Sequence, residues 1–382
     1  MSQEPFGDIP LFREIQRLLS AGDGPINLEI ARQVAIAVAS QGAPDLPPSD
    51  AAAKVFAGSV SAAEVLIAGY TRLPLVEPTR TAVLTRSEWI SATLQSWRWL
   101  LEHLAGHLSG QFARLQEQGG ADDPAGLTAA LGQVTPLLLG IQAGTVVGHL
   151  ALEVLGHHDF PVPADPTRLT FVDHNVEAVA RDYSLPLDDL RKWLGVRDAA
   201  RQLTVASVSW LTPYFHSLLS DLVDATDIDV GDIERRLMDL QTKGFEGLQS
   251  GVGIDDVLPV VPSERHSRSL QRLRAFIALL HGYAQHAAAA VGDQILSDRV
   301  KIEEGIARHD ASPSEGRALL QAVLGFDADR SLQTAGTTFC AAVVKLHGVD
   351  SLNRIWEAPD NLPNLAEIKD PFAWIERVLV ET

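Results

Sequence analysis

Apolar residues recur three and four apart through most of the chain, the spacing of helices with one buried face. Asn27 stands where it can cap LEIARQVAIAVASQ, and Ser49-Asp50 opens an alanine-rich helix reaching about residue 71. Residues 73–80 read as a connector. Thr85-Arg86-Ser87-Glu88 precedes a helix marked by Trp89, Trp97 and Leu100, and residues 111–126, rich in Gly, Gln and Asp, read as a mobile loop. Residues 127–155 give a helix striped by Gly140, Gly144 and Gly148, which permits close packing of a neighbour. The best strand candidate runs from Arg168 to Asp173, short and β-branched. Asn175 then caps VEAVARDY, and Pro186 opens the next helix with Asp188 and Asp189 near its positive end. Further helices are predicted over 213–224, within 227–253, over RSLQRLRAFIALLHGYAQHAAAAVGDQIL, and from about Pro313 to the end, the last starting at Asp370-Pro371. The pattern predicts a mostly α fold, α+β only through a minimal sheet.

One helix departs from the ordinary pattern. In LRKWLGVRDAARQLTVASVS, residues 190–209, the residues Leu190, Leu194, Arg197, Arg201 and Val205 share a face. Two arginines on a core-facing stripe cost free energy unless each finds an anion. Asp198, three residues before Arg201, offers a structural ion pair. Alternatively, Arg197 and Arg201 line a cleft that holds a carboxylate or phosphate, the geometry a guanidinium fork favours. Both readings stay open on the sequence. His281 lies on a later helix. His286 is five residues further on and points elsewhere on a regular helix. His103 and His107 have the i,i+4 spacing of a metal helix without a glutamate between them, and read as a surface pair. Gly156-His157-His158-Asp159 reads as a turn.

Composition narrows the partners. The 382 residues carry 49 acidic against 31 basic side chains, a formal charge of −18, and no basic run, which argues against nucleic-acid and acidic-membrane binding. Cys340 is the single cysteine, so an internal disulfide and a cysteine zinc site are excluded, and a reducing cytoplasm is expected. The start of the chain lacks the basic and apolar regions of a signal peptide. The most apolar stretch, residues 137–155, is interrupted by Gln142, His149 and Glu153 and reads as a soluble core helix.

At GPINLEIARQVA, SEWISATLQSWRWL, residues 190–210, residues 279–292 and the tail NRIWEAPDNLPNLAEIKDP, the chain resembles a bacterial family of zincin-like proteins labelled as hydrolases or zinc-dependent metalloproteases. One branch is named for association with deazaflavin coenzyme biosynthesis. The resemblance implies a zincin-like helical core with additional N- and C-terminal helices. It divides the chain into regions 1–126, 127–296 and 297–382, packed as one unit. Members with an intact motif carry H-E-x-x-H on one helix and E-G-x-A-x-H on a downstream one. Here the two histidines fall on Arg197 and Arg201 and the glutamate on Asp198. The downstream glutamate falls on His281, while Trp210, Gly282, Ala284 and His286 keep the pattern.

Arginine stays protonated and cannot ligate zinc. The resemblance therefore implies a family member without zinc or any other cofactor, and without zinc-peptidase activity. It would be a binding protein for a small anion or a peptide, with Arg197, Arg201 and His286 as binding candidates. The competing expectation is a hydrolase that uses Asp198 and His281, or a metal held by other histidines.

Overall fold

The three-and-four periodicity is realised as eleven main helices among the described residues. The computed structural model describes residues 24–40, 45–118, 127–160, 162, 163, 165, 167–228, 260, 261, 263–324 and 330–380. In order these are α1 (Leu28–Ser40), α2 (Asp50–Thr71), β1 (Arg80–Val83), α3 (Arg86–Gln118), α4 (Leu127–Ala151), β2 (Arg168–Phe171), α5 (Asp173–Asp182), α6 (Leu187–Ser207), α7 (Leu211–Asp224), β3 (Asp227–Ile228), β4 (Val260–Val261), α8 (Glu264–Gly292), α9 (Arg299–Asp310), α10 (Glu315–Leu324) and α11 (Arg330–His347), followed by short helical turns. The fold is mostly α. Its sheets are two-stranded: β1 pairs parallel to β2, with Val83 opposite Phe171, and β3 pairs antiparallel to β4.

Several local expectations are corrected. Residues 111–118 continue α3, because glutamine, leucine, arginine and glutamate are good helix formers and the first glycines come only at 119 and 120. The rest of that expected loop lies outside the described residues. Arg80, placed in a connector, starts β1, a strand too short to show alternation. The 127–155 helix ends at Ala151. Asn175 is not a cap but a buried interior residue of α5. Its amide donates to Ala151 O and Val154 O, and its Oδ1 accepts from the Arg86 guanidinium. Beyond Asp227 and Ile228, which form β3, the helix expected within 227–253 lies outside the described residues.

The core is built by helix pairs. α1 lies along α4, α2 along α6 and α8 along α11, while α8 also meets α6. On α4, a Cβ at Gly140, Gly144 or Gly148 would run into the α1 backbone at Asn27, Ala31 or Ala35, so the glycine stripe is a packing seam. The larger apolar cluster draws on residues from Ala31 to Val378, crossing all three expected regions. A second cluster surrounds α6 with Phe56, Phe171 and Ala284, and there the Phe56 and Phe171 rings stack 4.1 Å apart. Among the described residues α2 alone is long and apolar enough to cross a membrane by length and composition. Its face from Ala52 to Thr71 is buried against α6 and its neighbours.

The crossing of α8 and α11 fixes the rotation of the helix that carries His281. Gly282 and Gly336 meet there, and a Cβ on either would fall on the other helix's backbone. Gly282→Ala should therefore destabilise the protein by about 1–3 kcal/mol through overpacking. Gly58→Ala, in open space on α2, should stabilise it by about 0.5–1 kcal/mol. Denaturant unfolding of both variants checks the pair of signs.

Candidate functional site

The first half of the site is a turn wrapped around an aspartate of α6. Asp198 is fully buried. Its Oδ2 accepts the His157 N–H at 2.6 Å and the His158 N–H at 3.4 Å, and its Oδ1 accepts Arg197 Nε at 2.9 Å. The same turn closes on itself through Asp159, whose Oδ2 accepts the Leu155 and Gly156 N–H groups at 2.6 and 2.8 Å. Arg197 Nη2 reaches the other oxygen of Asp159, so one guanidinium bridges both carboxylates. Gly156 is required by this closeness, because a Cβ there would strike the Asp198 carboxylate.

Electrostatics separate the two arginines. Burial opposes the charge on Arg197, but Asp198 and Asp159 outweigh it and raise its pKa further above the usual arginine value. Arg201 is 8% exposed and makes no ion pair among the described residues. Its one hydrogen bond there runs from Nη1 to His158 O at 3.3 Å, longer than an ordinary N–H···O bond. Burial, with Arg197 nearby, pulls its pKa down to about 10 although Asp198 and Asp159 act against that. The expected i,i+3 pair of Asp198 with Arg201 does not form, because the turn and Arg197 hold both carboxylate oxygens.

The second half comes from α8, α9, α10 and α11. A cavity of about 120 Å³ opens between these helices and α6. Arg197, Asp198, Arg201 and His281 line it, with His158, His309 and Arg317 among its other polar residues. His281 shares no hydrogen bond with Asp198. Burial, then Arg201 and Arg197, hold its pKa down to about 4, so it is neutral at pH 7. The Nε2 atoms of His158 and His309 are buried without a hydrogen-bond partner among the described residues. His286 stands apart, its Nε2 2.8 Å from Tyr70 Oη. His103 and His107 serve the α3–α7 contact, His103 with Asp224 at 3.0 Å and His107 with Thr226 O at 2.9 Å.

Sequence reasoning passed over His309 and Arg317, and it read Asp159 only as part of a turn. The available signal for Asp159 was the imbalance itself, two buried arginines beside one aspartate. Zinc does not fit the positions where the zincin motif falls. Two of them are guanidiniums, and the carboxylate between them has each oxygen committed to N–H donors. Among the described residues no three His, Cys, Asp or Glu side chains are grouped to hold a metal ion.

Arg197→Met should cost about 3–5 kcal/mol, because it strands two buried carboxylates. Arg201→Met should be near neutral, because it strands none. Thermal and denaturant unfolding distinguish the two. The histidines give a pH signature. Burial also holds His157 at about 4, so from pH 6.5 down to 4 the unfolded chain binds protons that the native chain refuses. Stability falls with pH across that window, by up to about 3 kcal/mol for each histidine. His281→Gln should flatten the decline when unfolding is compared at pH 7 and pH 5.

A comparison with the curated proteins finds no match. Among solved structures, the chain is similar to the crystal structure titled "a putative hydrolase with a novel fold from Chloroflexus aurantiacus", with a TM-score of 0.67 and 24% identity. The likeness covers 94% of this chain and 100% of that one, and it bears on the fold alone. The family model for zincin-like metallopeptidases matches residues 26–375, and the chain belongs to that family.

Proposed function

We propose that this member of the zincin-like family is a zinc-free binding protein of the cytoplasm, whose cavity beside α6 holds a small anion or the anionic end of a peptide. One observation carries the reading. Arg201 is a buried guanidinium with no carboxylate partner among the described residues, and it lines a cavity roomy enough for a ligand. A buried cation that the fold leaves unpaired costs stability, and binding sites are where such costs persist. Arg197, already bridged by Asp159 and Asp198, serves to shape the wall rather than to take the ligand. The single cysteine, Cys340, is buried and its thiol pKa is raised by that burial, in keeping with a reducing compartment.

The competing hydrolase reading needs Asp198 as a proton acceptor within reach of His281. The oxygens of Asp198 are turned to Arg197 and to the turn amides instead. Metal analysis of protein purified without added zinc tests the proposal, with far less than one zinc per chain expected. Stoichiometric zinc, or peptide hydrolysis that a chelator abolishes, would overturn it.

A further inference from the structure

The charges around the cavity narrow the ligand beyond an anion. Arg197 is neutralised by Asp159 and Asp198. Arg317 sits 3.4 Å from Asp310 and 3.8 Å from Glu153. Arg201 is the lining guanidinium without a carboxylate partner among the described residues. His158, His281 and His309 add ring nitrogens but no charge, because burial is the largest influence on each and holds each pKa below its ordinary value. Three guanidiniums and three carboxylates line the cavity, and among the described residues Arg201 is the one guanidinium of the three left for a ligand. Asp159, Asp198 and Asp310 line the same cavity. A second negative charge on a ligand would face these carboxylates in a poorly screened interior.

Donor geometry narrows it further. Among the described residues Arg201 uses Nη1 on His158 O and makes no hydrogen bond with its other four N–H groups, the Nε–Nη2 edge among them. That edge matches the two oxygens of one carboxylate. Leu155, Phe160, Ala284 and Leu320 give the lining an apolar part, beside the uncharged Gln285, Gln321 and Gln333. The 120 Å³ volume far exceeds the roughly 10–15 Å³ that a single water needs.

We infer that the cavity takes a small free monocarboxylic acid with a short branched or linear apolar tail, its carboxylate on Arg201 and its tail against Phe160 and Leu320. This rests on the anion reading of Arg201 given above. A phosphate or dicarboxylate is disfavoured by its second charge.

Calorimetric titration of the full chain with isovalerate, inorganic phosphate, succinate and acetyl-alanyl-leucine tests this. Isovalerate should bind saturably, at least tenfold more tightly than phosphate or succinate. Arg201→Met should weaken it at least tenfold while circular dichroism stays unchanged. If that variant does not fold, Gln333→Glu carries the test, since it adds a negative charge to the wall without changing its shape and should weaken isovalerate severalfold. Tighter binding of phosphate or succinate, lost in Arg201→Met, would overturn the monocarboxylate and leave the anion site standing. Binding of the peptide alone would overturn the free acid. No binding that depends on Arg201 or responds to Gln333→Glu would overturn both readings.

Discussion

The bridge from Asp159 through Arg197 to Asp198 is the interaction on which the rest of the site depends. Buried charges persist only when paired and hydrogen-bonded, and here every acceptor is used. One guanidinium spans two carboxylates, and each carboxylate also caps amides of the turn at residues 155–159. The bridge ties α6 to the segment that follows α4. It also decides which arginine is structural and which is not. Because Arg197 takes both acids, Arg201 is left lining the cavity with one long hydrogen bond among the described residues.

Helices were legible because burial of one face imposes a period, and α6 with its arginine-bearing stripe was found that way. The strand Arg168–Phe171 was legible from its β-branched and aromatic residues. Its partner Arg80–Val83 was not, since four residues show no period and the pairing is supplied by a segment far along the chain. The same limit hid the pairing of Asp159, which lies 38 residues before its arginine. Asp198 could be named but not its orientation, which the His157 and His158 amides set. His281 was placed beside it only through a resemblance, and the cavity brings it close to Arg201 rather than into a hydrogen bond with Asp198.

The most distinctive part of the sequence, the tail from Asn353, has a physical account of its own. Tyr283 Oη donates to Asn353 Oδ1 at 2.7 Å, and Asn353 Nδ2 donates to Thr71 O at the end of α2. Trp210 Nε1 donates to Trp356 O, and Arg377 forks onto Glu367 while also donating to Asp360 O and Leu362 O. Tyr283 is two residues from His281. The tail therefore clamps the helix that carries one wall of the cavity, with the Gly282–Gly336 crossing as its counterpart on α11.

The tightness of the turn at Gly156 also limits which sequences this fold can reach. A histidine at position 197 would leave Asp159 and Asp198 without their shared cation. A glutamate at 198 would push its carboxylate one methylene deeper into a turn that has no room for a Cβ. Of the three changes that a metal-binding pattern would need in α6, the one at 197 passes through a stranded charge and the one at 198 through a collision, while the one at 201 meets neither. The helix is held to its present chemistry by the loop packed against it.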